Sequence, residues 1–338
     1  MTDIYIISGF LGAGKTTLIQ HLLKNVLTPE ETVVIENDFG EISMDTALIQ
    51  SGGFTVKELS SGCICCSLTG DFIQAILEVI GELKPKQIII EPSGVGKLSD
   101  IQAACLSPKI SAVASIRRKI TVADVLRCSM YLENFGEFYE DQIQHADSIL
   151  LSRGEKQPER AKQTARQLAE INPHAEIFSG LWEDLNFPKL LGLSVPDTET
   201  AGCSCVHSHS GQEDCGHTHH HHDCCEHDSA EGRELHHGGE PCRHDHSAQD
   251  AFDTITLELT RTVTEEELET AFKQAEELGF GHILRAKGIL NTPQGAAAVQ
   301  YLPGELSLTP CSLAAGSLCL IGSNFDRQGL SMLLGKGG

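Results

Sequence analysis

The sequence predicts an α/β fold with a mostly parallel sheet, then a His/Cys-rich disordered linker, then a small α+β domain. Three observations predict it. Short apolar runs alternate with amphipathic stretches through the first half of the chain. A glycine-rich turn joins the first of those runs to the first of those stretches at residues 9–16. A tract almost devoid of large apolar residues, from about 201 to 246, separates this half from a second set of strand and helix patterns.

Residues 4–8 (Ile-Tyr-Ile-Ile-Ser) are a run suited to a buried parallel strand, and 17–27 carry apolar residues at helical spacing. Further strands are expected at 32–36, 54–59, 87–91, 119–124 and 147–151, with helices at 71–83, 137–145 and 159–171. Strands and helices in that rhythm imply a parallel sheet covered on both faces. Beyond the linker, 252–259 alternates like a strand and 265–278 has a strong helical pattern. Residues 283–290, 298–302 and 317–322 read as strands and 326–334 as a closing helix. The expected division is 1–195, 196–250 and 251–338.

A net charge of −22 argues against nucleic acid or an anionic membrane surface as the main partner. No apolar run approaches the roughly 20 residues that span a bilayer. The first strand starts almost at Met1 with no basic leader before it, so a cytoplasmic location is expected. Thiols stay reduced there. Thirteen cysteines then point to metal or redox chemistry rather than to a disulfide framework.

Residues 9–16 read Gly-Phe-Leu-Gly-Ala-Gly-Lys-Thr and match the phosphate-binding pattern G-x-x-x-x-G-K-[ST]. From glycine's average usage of about 7%, chance matches arise in on the order of one chain in a hundred. A strand before the loop and a helix after it make chance a poor explanation here. Strand, loop and helix together make a P-loop NTPase domain. The backbone of Gly9, Gly12, Ala13 and Gly14 would curl around phosphate, with the helix N-terminus adding its positive end. Lys15 would reach the β- and γ-phosphates as a catalytic group, Thr16 would ligate Mg²⁺, and Thr16 and Thr17 would both bind nucleotide. Residues 88–94 (Ile-Ile-Ile-Glu-Pro-Ser-Gly) are a buried strand ending in an acid and then a glycine. Glu91 is thus a second catalytic candidate and Mg²⁺ ligand, and the Gly94 N–H a γ-phosphate sensor. The plainer alternative is a strand-end acid before a turn.

Gly62-Cys63-Ile64-Cys65-Cys66 crowds three thiols into four residues. A C-x-C pair sets two sulfurs on one side of an extended segment, suited to a thiophilic ion. A redox disulfide or incidental buried cysteines are the alternatives.

The P-loop, Glu36-Asn37-Asp38-Phe39-Gly40-Glu41, Gly-Cys-Ile-Cys-Cys and Glu-Pro-Ser-Gly together resemble the CobW family of metallochaperone GTPases, relatives of HypB and UreG. Val122-Ala123-Asp124, Gln142-Ile143, Ala146-Asp147, Arg285-Ala286-Lys287-Gly288, Ile321-Gly322 and Asp326-Arg327 also fall where that family has matching residues. The resemblance implies GTP hydrolysis coupled to delivery of Zn²⁺, Co²⁺ or a similar metal to a client metalloprotein. It also implies an internal metal site of Cys63, Cys65 and Cys66 beside the nucleotide. Glu36, Asp38 and Glu41 follow the second strand, where a nucleotide-sensing switch belongs. Glu36 and Glu41 are candidate ligands of the transferred metal and Asp38 of Mg²⁺; a solvated loop face is their alternative. A dimer that depends on nucleotide or metal is a further expected state.

One departure matters. The family reads guanine with Asn-Lys-x-Asp, and the matching residues here are Ser152-Arg153-Gly154-Glu155. Glu155 keeps the carboxylate and Arg153 can lie over the base, but Ser152 lacks the amide that normally braces the loop. GTP remains the favoured nucleotide, with weakened selectivity over ATP expected.

The 201–246 tract holds twelve of the sixteen histidines and six of the thirteen cysteines. Its accessory metal ligands are Cys203, Cys205, His207, His209, Cys215, His217, His219, His220, His221, His222, Cys224, Cys225, His227, His236, His237, Cys242, His244 and His246. Mixed imidazole and thiolate suits Zn²⁺, Co²⁺ or Ni²⁺, and the irregular spacing favours several shifting sites over one fixed one. A solubilising linker is the alternative. Cys105, Cys128, Cys311 and Cys319 read as structural, as do His21, His145, His174 and His282. Two rivals to the whole reading stand: a metal buffer with regulatory nucleotide binding, and an ATPase or small-molecule kinase with a metal-binding tail.

Overall fold

The computed structural model describes residues 1–36, 54–58, 69–193, 251–312 and 314–335. Asp38, Glu41, Cys63, Cys65, Cys66 and the whole 201–246 tract lie outside the described residues.

The N-terminal domain is built on β1 (Thr2–Gly9), β2 (Thr32–Glu36), β3 (Thr55–Glu58), β4 (Gln87–Glu91), β5 (Ala114–Asp124), β6 (Ser148–Ser152) and β7 (Glu176–Phe178). They form one seven-stranded sheet in the order β3-β2-β4-β1-β5-β6-β7, and every pairing is parallel. Helices are α1 (Lys15–Asn25), α2 (Thr69–Leu83), α3 (Leu98–Cys105), α4 (Pro108–Ser111), α5 (Cys128–Gln144), α6 (Pro158–Ile171) and α7 (Phe187–Leu190). β1 shows why the sheet is buried on both sides. Its Ile4 and Ile6 join a core with α3, α5 and α6, while Tyr5 and Ile7 join a second core with α1, Trp182 and Leu190. A run of successive apolar residues is what a doubly covered strand needs. β1 lies where the chain changes direction, with β2 and β4 to one side and β5 to the other. The carboxyl ends of strands at such a point form a natural ligand crevice, and the glycine loop leaves β1 there.

The C-terminal domain carries β8 (Asp253–Glu258), α8 (Glu265–Glu277), β9 (His282–Thr292), β10 (Gly295–Leu302), β11 (Glu305–Pro310), β12 (Ser317–Ser323) and α9 (Arg327–Gly335). Its sheet, β11-β10-β9-β12-β8, is antiparallel throughout. Thr264 and Glu267 make a reciprocal capping box at the start of α8. Leu268, Phe272, Leu330 and Leu334 from α8 and α9 cover one sheet face, packing on Ile255, Ala286 and Leu318. Leu284, Cys319 and Ile321 point the other way and join the core of the N-terminal domain. Both sheets therefore belong to one compact unit.

Several boundaries differ from expectation, each for a local reason. β5 begins at Ala114 rather than 119, because Arg117, Arg118 and Lys119 interrupt its apolar run. Arg118 is satisfied at the sheet end by Ser148 and Glu176. α5 begins at Cys128 rather than 137, because a non-helical Phe135 (φ −135°) breaks its period midway. β11, whose residues are mostly exposed and which ends at Pro310, had no expected counterpart; α3, α4 and β7 are too short for a periodic signal.

Candidate functional site

The glycine loop is held by its carbonyls. Lys15 Nζ donates to the Gly9 oxygen at 3.0 Å and the Ala13 N–H to that of Phe10 at 3.1 Å. Tyr131 Oη donates to Leu11 O at 3.1 Å, Arg153 Nη1 to Gly12 O at 3.0 Å and Ser152 Oγ to Ala13 O at 2.7 Å. Five successive carbonyls thus have partners. Burial raises the Tyr131 hydroxyl well above its ordinary pKa, so it stays a neutral donor. Gly12, at φ +67°, favours glycine because the backbone is left-handed, and a β-carbon there would also push the Leu302 side chain aside.

α1 starts directly at Lys15, with Gly14 as its N-cap. The first in-helix bond runs from Leu18 N–H to Gly14 O, so the helix itself cannot satisfy the N–H groups of Lys15, Thr16 and Thr17. No acid lies in this first turn to neutralise the positive end. Thr16 Oγ1 sits 3.2 and 3.4 Å from the two oxygens of Glu91, at the end of the neighbouring strand β4. Lys15 is buried, Thr16 half-buried and Thr17 exposed. Gly94 follows Glu91 into a buried turn, where Gln142 Nε2 donates to the carbonyls of Gly94 and Gly96. A hydroxyl and a carboxylate side by side are the hard oxygen donors that Mg²⁺ prefers, so Thr16 and Glu91 fit that ion.

The sequence left a further constellation unread. Asp124, at the end of β5, is 1% exposed. Its Oδ2 accepts from Arg127 Nη1 at 2.7 Å and from Arg153 Nη1, and its Oδ1 from the Leu126 N–H at 2.8 Å. Arg127 Nη2 reaches on to Glu305 Oε2 at 2.9 Å in the C-terminal domain. Burial pulls the Arg127 pKa down, but its bonds to Asp124 and Glu305 more than offset that. The same bond to Arg127 holds the Glu305 carboxyl below its usual range. The available signal was an acid at a strand end beside two arginines.

In the base-reading loop two residues face the glycine loop. Ser152 does brace the glycine loop: its hydroxyl, 5% exposed, takes over that task through Ala13 O. Arg153, at φ +59°, commits its guanidinium to Asp124 and Gly12 O. Glu155 is exposed just past β6. Glu36 is buried at the end of β2, in register with Glu91 across the ladder. Its expected partners in a metal site all fall outside the described residues. Within the described residues no group of three or more His, Cys, Asp or Glu could hold a metal ion, and no helix is long and apolar enough to cross a membrane.

The profile described as "CobW/HypB/UreG, nucleotide-binding domain" matches residues 3–179, more than half of the chain. The chain belongs to the CobW/HypB/UreG family. A second profile, "Cobalamin synthesis protein cobW C-terminal domain", matches residues 252–336. Among curated relatives, the zinc chaperone YjiA of Escherichia coli is 30% identical over 197 residues, covering 56% of this chain and 61% of that protein. The zinc chaperone YeiR of the same organism is 31% identical over 173 residues, covering 51% and 52%. The chain thus spans about half to three fifths of the relatives it matches. The crystal structure of Zn(II)-bound YjiA GTPase aligns over 98% of this chain and 97% of its own, at 19% identity and a TM-score of 0.43. For this CobW-type chain, the family accounts for a nucleotide-binding domain followed by a CobW C-terminal domain.

Proposed function

We propose that this chain hydrolyses GTP to deliver a transition metal to a client metalloprotein. The observation that carries the proposal is the meeting of Lys15, Thr16 and Glu91 at the carboxyl ends of β1 and β4, on a glycine loop whose carbonyls are all turned to protein partners. A loop held by its carbonyls presents its N–H groups to an anion. Lys15 would stabilise charge on the transferring phosphoryl group, and Thr16 with Glu91 would hold Mg²⁺, which neutralises phosphate charge when bound. Glu155 would accept from the paired guanine donors, with Ser152 and Arg153 bracing the loop beneath. The metal is zinc in this reading, because the curated relatives are named zinc chaperones. The transferred ion would bind the Cys63, Cys65 and Cys66 thiolates with Glu36 or Glu41, fed by the histidine tract. The organisation proposed is a GTPase domain over 1–195, a His/Cys-rich metal-binding linker over 196–250 and a CobW-like C-terminal α+β domain over 251–338.

The deciding experiment is steady-state GTP turnover by purified Lys15→Ala. Turnover should fall by about 10³-fold or more, as expected for loss of a main charge-stabilising contact, while circular dichroism stays unchanged. Hydrolysis at the wild-type rate would remove the P-loop assignment and the proposal with it.

A further inference from the structure

The C-terminal domain reaches the glycine loop by three routes, two direct and one relayed. Leu302 packs on Gly12, so closely that a β-carbon there would displace its side chain. Glu305 begins a chain of alternating charge, through Arg127, Asp124 and Arg153, that ends on Gly12 O. Phe252 completes an aromatic cluster around loop residue Phe10, 6.1 Å away between ring centroids, with Phe135 and Phe138 at 5.5 and 5.2 Å from it.

The first two contacts come from one tight turn. Leu302 and Glu305 face each other as the closing pair of the β10–β11 hairpin, with only Pro303 and Gly304 between them. Gly304 has φ +80°, and proline followed by a left-handed glycine is the order of a type II turn. Such a turn has little freedom, so the apolar contact and the charge contact move together. Both converge on Gly12: Leu302 meets its α-carbon side, and the charge chain holds its carbonyl. The peptide plane of Gly12 is therefore oriented jointly by the two domains.

We infer that the β10–β11 turn is a working wall of the nucleotide site, and that Leu302 and Glu305 are positioning residues for nucleotide binding. The inference rests on the proposed reading of residues 9–16 as a nucleotide-binding loop. Anything that docks on the C-terminal domain and tilts this turn then changes nucleotide affinity, and by reciprocity nucleotide changes the affinity of that domain for its partner.

The test uses the full-length chain and a fluorescent GDP analogue, with Kd and dissociation rate measured for wild type, Glu305→Gln, Leu302→Ala, Arg127→Gln and the double variant Arg127→Gln/Glu305→Gln. The Glu305 side chain is 53% exposed, so Glu305→Gln keeps the fold. We expect Glu305→Gln and Leu302→Ala each to weaken GDP on the order of three- to tenfold, chiefly through faster dissociation. In turnover, the loss falls on KM more than on kcat, because the turn holds Gly12 rather than Lys15 or Thr16. Arg127→Gln/Glu305→Gln should lose no more than Arg127→Gln alone, since both act along one chain. A merely structural role would lower the melting temperature without this split or this non-additivity. Kd unchanged within twofold in both Glu305→Gln and Leu302→Ala, with turnover still abolished in Lys15→Ala, overturns the inference and leaves the nucleotide reading intact. Wild-type turnover in Lys15→Ala overturns the reading beneath it.

Discussion

Asp124 is buried to 1% exposure between two guanidinium groups. Removing a charge from water costs several kcal/mol, recovered only when geometry and remaining lone pairs are satisfied. Both Asp124 oxygens are satisfied, by two arginines and the Leu126 N–H, which makes the residue a fixed point on which Arg127 and Arg153 are set. Arg153 is thereby tied to the glycine loop through Gly12 O. In the proposed reading, nucleotide choice falls on Glu155, which stands exposed beyond the braced segment. Guanine presents paired donors to a carboxylate and adenine does not. Glu155→Ala should weaken GTP by about tenfold to a hundredfold, the scale of two charge-assisted hydrogen bonds, and leave ATP nearly unaffected. Competition titrations with both nucleotides check this; equal losses would show that the loop does not read the base.

At the scale of elements, α8 offers the cleanest pH signature. Its capping box bonds the Glu267 carboxylate to the Thr264 N–H, and that bond foremost lowers the Glu267 pKa. A carboxylate whose folded pKa is depressed stabilises fully above its unfolded value of about 4.3, and the contribution fades as pH falls through the lower folded value. Glu267→Ala should therefore melt about 1–2 °C below wild type at pH 7, a gap that closes below about pH 4. Calorimetry at pH 7, 5 and 3.5 measures it, and a gap that widened in acid would reverse the sign argued. The same scale shows what could be read in advance. β1, β2 and β4 were legible because double burial writes uninterrupted apolar runs, and α8 because its cap and stripe agree. The first half of α5 was not, because Phe135 breaks the helix to reach Phe10 and Phe252, a tertiary demand that leaves no local period. Lys15, Thr16 and Glu91 were legible as chemistry at motif spacing. The chain from Glu305 to Gly12 was not, since nothing local ties Arg127 to a glutamate of a different sheet.

For the whole molecule, the proposed division of labour predicts two classes of metal site. Deleting residues 201–246 should reduce the number of Zn²⁺ ions bound per chain while leaving one tight site. Cys65→Ser/Cys66→Ser should abolish that site, because thiolates fixed by a folded scaffold are preorganised and a tract poor in apolar residues must lose chain entropy with each ion. A non-hydrolysable GTP analogue should shift the tight site's Kd by about 5- to 150-fold, the usual range of coupling between sites. Zinc titrations with and without the analogue test this. A tight, nucleotide-sensitive site that survived in the double-serine variant would move the working site into the histidine tract.

The hold of Leu302 and Phe252 on the glycine loop also governs how the protein is made. Phe10 and Gly12 leave the ribosome early, and the residues that cover them are among the later ones synthesised. At about 5–20 residues per second, translation leaves that gap open for on the order of 10–60 s. During this interval the nascent N-terminal sheet carries an uncovered aromatic patch beside an incompletely walled loop. The newborn chain is thus exposed to premature association at the carbonyl side of the glycine loop until Phe252 and the β10–β11 hairpin have closed over it.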